Sequence, residues 1–263
     1  MLRVNELYVS GGQTSILRGV SLTVERGACI GLTGPSGSGK TTLLRTILGM
    51  GGGALRVDSG ELSLDGADLL ALSGRDRRAL CGTVFGFIPQ NPMTSFFPSA
   101  KVGGQVVETF RLHTGLDRTG ALALAEDCLR RVNLTDTARV LGAYPGQLSG
   151  GMLQRVTMAI LLGTKPAYIL ADEPTSALDT ENRDLLLALL RDYGKEAGIL
   201  FLSHDAEAMQ ALCSTTYVML EGAVIEAQPT RDIFEAPVQP WTQGFAAAAI
   251  QQKEGRTQWK RSN

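Results

Sequence analysis

An α/β fold with a mostly parallel sheet, an antiparallel edge sheet and an inserted helical lobe is what three features of the sequence predict. A glycine-rich turn, Gly34-Pro35-Ser36-Gly37-Ser38-Gly39-Lys40-Thr41-Thr42, stands between a short apolar stretch, Cys29 to Leu32, and a helical pattern. Further short apolar stretches alternate with stretches of helical period, the order of strands joined by helical crossovers. Between residues 91 and 164 the alternation gives way to loops and helices alone.

Taken in order, residues 2 to 9 and 20 to 24 alternate apolar and polar positions around a Gly11-Gly12 turn, which predicts an antiparallel pair. Cys29 to Leu32 supplies the central strand. Gly34, Gly37 and Gly39 let the backbone turn tightly, so that successive N–H groups face inward and the following helix adds its positive N-terminus. Leu43, Leu44, Ile47 and Leu48 mark that helix's buried face, and Gly49 fits its stop. Such a cradle suits a polyphosphate. Lys40 reaches the β- and γ-phosphates as a point charge, and the Thr41 hydroxyl can hold a Mg²⁺ bridging the same oxygens.

Residues 60 to 65 repeat the strand alternation, and residues 69 to 80 carry Arg75, Arg77 and Arg78, a cluster expected on a solvated helix face. Residues 85 to 90 read as a strand ending in Gln90. In the helical lobe Ala121, Leu122, Ala125, Leu129 and Val132 recur at helical spacing. Residues 167 to 171 form a buried strand ending in Asp172 and Glu173, residues 181 to 193 a helix, and residues 199 to 202 a strand ending at Ser203 and His204. Ligands of such sheets gather outside the carboxyl ends of the strands, where the cradle, Gln90, Asp172, Glu173 and His204 all fall.

The 263 residues are 44% hydrophobic and 19% charged, enough for a sizeable core, and the net charge of −1 gives no positive field for nucleic acid. Cys29, Cys81, Cys128 and Cys213 show no metal-ligand spacing and are expected as reduced thiols. No signal peptide or membrane span is apparent, so the chain is expected in the cytosol, with any membrane role supplied by partners.

Leu148 to Arg155 reads LSGGMLQR, and with it the chain resembles the ATP-binding subunits of ABC transporters. The resemblance makes residues 34 to 41 the Walker A motif, Gln90 the Q-loop, and Ser149, Gly150 and Gly151 the signature. Asp172 and Glu173 become the Walker B pair, Ser176 to Asp179 the D-loop and His204 the H-loop. It implies ATP and Mg²⁺ as ligands, with Thr41, Gln90 and Asp172 around the metal. Glu173 would be the general base, with Lys40, Gln90 and His204 as the other catalytic groups. It also implies a head-to-tail dimer with a second ATPase subunit, the signature of one facing the ATP of the other, either homodimeric or, preferably, heterodimeric. The partners would be two membrane permeases at the cytoplasmic face of the membrane and, indirectly, a solute-binding protein. The domains follow: residues 1–90 and 165–245 as nucleotide-binding core, 91–164 as signature-bearing lobe, 246–263 as tail.

Residues 90 to 98, QNPMTSFFP, resemble the peptide and nickel importer ATPases, as does the stretch from Glu221 to Phe245. The lack of a cysteine-rich C-terminal extension is similar to compact nickel or metallophore importer subunits, which sets a metal chelate as the expected cargo and a small peptide as the alternative. Met93 to Phe97, with Phe96 and Phe97 expected exposed, is the candidate permease contact. Two departures stand out. The position where the family stacks an aromatic ring on adenine reads Ser10-Gly11-Gly12, with Tyr8 out of register, and Gln239 replaces the histidine of the tail motif. An exporter subunit and a soluble ABC protein acting on nucleic acid are the disfavoured readings.

Overall fold

The protein, seen in a computed structural model, is described for residues 1–176 and 178–262, with side chains as far as Gln251. Ala177, inside the expected D-loop, and Asn263, at the end of the expected tail, lie outside the described residues.

Strands β1 (Leu2–Gly11) and β2 (Thr14–Val24) pair antiparallel, with Leu2 opposite Val24 and Gly11 opposite Thr14. Both run further than the alternation suggested, because Ser10 and Gly11 still pair with Ser15 and Thr14 although no apolar residue marks them. After β3 (Cys29–Thr33) and α1 (Lys40–Leu48), β4 (Leu55–Leu64) and the short β5 (Ala67–Asp68) complete a four-stranded antiparallel sheet in the order β2-β1-β4-β5.

Helix α2 (Gly74–Ala79) begins on a Ser73 cap. Its basic cluster divides. Arg75 and Arg78 are exposed, whereas Arg77 is half-buried, its guanidinium donating to the Thr46 and Ile47 carbonyls at the end of α1. A cation there meets the negative end of the helix dipole, so Arg77 is a helix cap rather than part of a solvated face.

The second sheet has six strands in the order β10-β9-β3-β8-β7-β6. Strand β6 (Phe85–Ile88) precedes helices α3 (Val102–Thr114), α4 (Arg118–Arg131), α5 (Thr137–Gly142) and α6 (Gly150–Thr164). On α4, Ala121, Ala125 and Leu129 are buried as expected, but Leu122 is 42% exposed and Cys128 takes the inner position instead. There follow β7 (Tyr168–Asp172), α7 (Thr180–Tyr193), β8 (Gly198–Leu202), α8 (Ala206–Leu212), β9 (Thr215–Leu220), β10 (Ala223–Pro229), α9 (Thr230–Glu235) and α10 (Pro240–Ser262). All contacts in this sheet are parallel except β9 with β10.

Every residue of β3, β7 and β8 is buried, which is why these strands read as continuous apolar runs. The pleat sends alternate side chains to two different cores. Leu170, Leu200 and Leu202 join α1 and the antiparallel sheet, while Ile169, Ile199 and Phe201 join the helices of the lobe. Two of the cysteines, far apart in sequence, meet here as buried thiols with sulfurs 3.7 Å apart. Among the described residues no helix is long and apolar enough to cross a membrane.

The residues of the tail motif pack around Glu226 and Phe234. Buried Glu226 accepts hydrogen bonds from the Val238 and Gln239 amides, both at 2.9 Å, and so caps the entry to α10. Trp241 stacks on Phe245 at 5.4 Å between ring centres, and Phe245 meets Phe234 at 5.6 Å. Burial pushes the Glu226 carboxyl up, but the facing Thr242 hydroxyl and the two amides outweigh it and hold its pKa below the usual value. Its contribution to stability is therefore complete above the ordinary carboxylate pKa of 4.5 and disappears as the pH falls through the lower folded value. Glu226→Gln should cost about 1–3 kcal/mol at pH 7. Urea denaturation curves of wild type and variant should converge as the pH is lowered through that window.

Candidate functional site

The parallel register brings the ends of four strands to one level. Leu32 of β3 stands beside Leu202 of β8, Leu202 beside Asp172 of β7, and Ile88 of β6 beside Ala171. The residues that follow each end, Gly34, His204, Glu173 and Gln90, therefore meet at the same edge. A cleft of about 320 Å³ opens there, lined by Ser36, Gly37 and Gly39 to Thr42 of the cradle, by Gln90, Asp172, Glu173 and His204, and by Ile16.

Gly34, Gly37 and Gly39 have φ values of 147°, 82° and 102°, which other residues rarely adopt. A Cβ on Gly34 would overlap the Met219 carbonyl, and one on Gly39 would lie 2.8 Å from Leu17 Cδ2. No side chain caps α1, so the free N–H groups of its first turn remain available to an anion. Pro35 and Ser38 build the turn without lining the cleft, the Ser38 amide donating to the Pro35 carbonyl at 3.2 Å.

Lys40 Nζ donates to the carbonyls of Gly34 (2.7 Å) and Pro35 (3.0 Å), which holds the ammonium at the loop. Burial lowers its pKa, against the raising influence of Glu173 and Asp172. Thr41 Oγ1 donates to both oxygens of Asp172, at 3.1 and 3.3 Å. Burial pushes the Asp172 carboxyl up, the Thr41 bond and the cations Lys40 and Arg45 pull it down, and Glu173 adds to the rise, which prevails.

Glu173 stands directly after β7 with a φ of 46°, a left-handed conformation at a non-glycine residue. Its amide donates to the Leu202 carbonyl at 2.9 Å, and its own carbonyl accepts from the amide and hydroxyl of Ser176. So held, its carboxylate faces His204: Oε2 is 2.8 Å from Nδ1 and 3.3 Å from the His204 amide. The imidazole is 68% exposed and open to the cleft.

The structure does not bring the whole expected site together. Ser149 caps α6, its hydroxyl accepting from the Met152 amide at 3.2 Å, and the helix begins at Gly150. Ser149, Gly150 and Gly151 line no part of the cleft, and Ser149 and Gly150 are exposed. Phe96 is 6% exposed and belongs to the lobe core, which corrects its expected exposure, whereas Phe97 is 74% exposed. Tyr8 does not line the cleft. Ile16 was missed, and the signal for it is positional: the first apolar residue after the β1–β2 turn stands over the cradle.

Among the described residues no three His, Cys, Asp or Glu side chains gather as a self-sufficient metal site. The Thr41 hydroxyl and Asp172 carboxylate are adjacent, and with the nearby Gln90 amide they form a hard-oxygen set that fits a Mg²⁺ shared with phosphate oxygens.

The family model described as ABC transporter matches residues 17–176. The chain belongs to the ABC transporter family. As an ATPase of that family it binds and hydrolyses ATP. It is 36% identical over 256 residues to the probable D,D-dipeptide transport ATP-binding protein of Escherichia coli, covering 95% of this chain and 78% of the relative. It is 34% identical to a probable peptide ABC transporter ATP-binding protein of Sinorhizobium fredii, over 95% of this chain and 75% of the relative. The glutathione import ATP-binding protein of Salmonella typhimurium is 36% identical over 92% of this chain, which spans only 40% of that protein's length. Among solved structures, a dimeric ATP-binding cassette bound to ADP and phosphate superposes with a TM-score of 0.77 at 24% identity, over 88% of this chain and 99% of the other. That likeness establishes the fold.

Gly34→Ala should destabilise the ATPase by about 1–3 kcal/mol through backbone strain and close contact. It should also weaken ATP binding, since the cradle must open at Met219 to admit the methyl group. Urea denaturation and calorimetry with ATP check the two effects separately.

Proposed function

We propose that the chain is the ATP-hydrolysing subunit of an importer for small peptides, acting at the cytoplasmic face of a membrane. The observation that carries the catalytic part is the convergence of Lys40, Asp172, Glu173 and His204 in one cleft. The peptide part is supported by the relatives, whose names state dipeptide, peptide and glutathione transport. That support favours a peptide over the nickel or metallophore cargo.

In this reading Lys40 exchanges its bonds to the Gly34 and Pro35 carbonyls for phosphate oxygens of ATP, while the cradle amides and the first turn of α1 hold the rest of the chain of phosphates. Thr41, Asp172 and Gln90 would hold Mg²⁺, which neutralises charge on those oxygens when bound. Glu173 accepts a proton from the water that attacks the γ-phosphorus, and His204, paired to its Oε2, keeps that carboxylate aimed and the water in line. Gln90 positions the same water.

The exposed helix start at Ser149, Gly150 and Gly151 is a second anion-binding N-terminus that lies outside the chain's own cleft, so its ATP is that of a second ATPase subunit. The partners are that subunit, as a homo- or heterodimer, two permeases and a solute-binding protein, with no nucleic acid among them. Exposed Phe97 and Met93 offer the permease contact. Residues 1–90 and 165–245 then act as the nucleotide-binding core, 91–164 as the lobe that presents the signature, and 246–263 as the tail.

Glu173→Gln should lower phosphate release by about 10²- to 10⁴-fold, with ATP affinity retained in calorimetry; undiminished turnover removes Glu173 from the role of base. Cells carrying Lys40→Ala or Phe97→Ser should lose uptake of a radiolabelled dipeptide but keep uptake of nickel and cobalt. Loss of metal uptake alone would reverse the choice of cargo.

A further inference from the structure

Two thiols that ATP hydrolysis does not use lie together beside the second sheet. Cys29 opens β3 and Cys213 follows α8, and their sulfurs are 3.7 Å apart, with one thiol donating to the other. The backbone holds them there. The Cys29 carbonyl accepts from the amide (2.9 Å) and the hydroxyl (3.1 Å) of Ser214, and the Cys213 amide donates to the Met209 carbonyl at 2.8 Å. Gly31 leaves the space that the Cys213 sulfur needs, since a Cβ there would lie 3.2 Å from it. A disulfide requires sulfurs about 2.05 Å apart on neighbouring backbones. Here hydrogen bonds already join the backbones, and what remains is closure of the two side chains. The other cysteines have no such partner: Cys81 turns its thiol to the Leu48 carbonyl, and Cys128 lies in the lobe core.

The two thiols differ in access. A cavity of about 380 Å³ opens between the end of α8 and α9, with Ser214, Thr230 and Phe234 among its walls. Cys213 lines it and Cys29 does not, and it shares no lining residue with the ATP cleft. A small disulfide entering this cavity therefore meets Cys213 first, with Cys29 behind it. Thiol–disulfide exchange needs that order, one sulfur facing the reagent and a second placed to displace the half of the reagent left attached. The bond to Cys213 and burial both push the Cys29 thiol up, so Cys29 is the thiol that keeps its proton at the outset.

We propose that Cys29 and Cys213 form a dithiol site that low-molecular-weight disulfides oxidise to an internal disulfide, a staple between β3 and the end of α8 made only under oxidising conditions. The Cys213 sulfur loses its proton and attacks one sulfur of the reagent, whose S–S bond breaks; the departing thiolate takes up a proton. The Cys29 sulfur then attacks Cys213 in the mixed disulfide, and its proton leaves with the second half of the reagent as a thiol. Two protein thiols are oxidised by two electrons, and one reagent disulfide is reduced to two thiols. The new bond joins residues 184 positions apart, a long loop whose closure restricts the unfolded chain.

The test treats the reduced, intact chain with glutathione disulfide, blocks remaining thiols and reads the products by intact mass and peptide mapping, on wild type, Cys29→Ala and Cys213→Ala, with a thermal melt of each to confirm folding. Wild type should lose two hydrogens, keep no glutathione and yield a peptide pair joined through Cys29 and Cys213. Cys29→Ala should retain one glutathione on Cys213, whereas Cys213→Ala should leave Cys29 a free thiol. Oxidised wild type should unfold at a urea midpoint higher by roughly 0.5–2 M than the reduced chain, a gap that dithiothreitol closes. Folded wild type that leaves both thiols free, or that keeps glutathione on Cys213, overturns the dithiol site. Formation of the disulfide with no rise in the urea midpoint overturns the staple. The wild-type result decides the matter even where a variant fails to fold.

Discussion

The backbone at the end of β3 is the constraint on which the rest depends. To wrap a phosphate chain in amides, the turn from β3 into α1 must pass through φ values that only glycine reaches without strain, at Gly34, Gly37 and Gly39. It must do so within contact of Met219 and Leu17, whose own packing leaves no room for a Cβ. The surrounding elements hold that turn in place. Both faces of β3 are buried, one against α1 and the antiparallel sheet, the other against Met209 of α8 and Cys213 just after it. Arg77 and Gly49 finish α1 at its far end, so the helix is fixed at both termini while its N–H groups remain free for an anion.

Parallel pairing then turns this one turn into a site. Because β3, β8, β7 and β6 stop at a common level, the residues after their ends are neighbours although they lie far apart in the chain. Chemistry needs more than adjacency, and the strained φ of Glu173 supplies it. The left-handed residue turns the chain out of β7, and the carboxylate comes to rest 2.8 Å from His204 Nδ1. The start of α6, at Ser149 and Gly150, stands exposed and lines no part of this cleft.

Much of this was legible in the sequence, and the reasons are physical. Walker A, Asp172, Glu173 and His204 could be placed because fully buried strands read as apolar runs, and their ends mark where ligand groups emerge. Where the pattern was weak the reading fell short. Polar Ser10 and Gly11 gave no sign that β1 continues, Leu122 matched a helical period yet faces solvent, and Phe96 and Phe97 could not be told apart. Arg77 looked like surface charge because its partners are backbone carbonyls thirty residues earlier, which carry no side-chain signature. The approach of Cys29 to Cys213 and the capping role of Glu226 are likewise products of tertiary packing.

The measurement that goes most directly to the centre of this account is a crystal structure of the chain with Mg²⁺ and a non-hydrolysable ATP analogue. The account predicts Lys40 Nζ moved from the Gly34 and Pro35 carbonyls onto phosphate oxygens and the γ-phosphate beside Glu173 and His204. A nucleotide bound outside the cleft, or Lys40 still on the two carbonyls with the analogue in place, would contradict it.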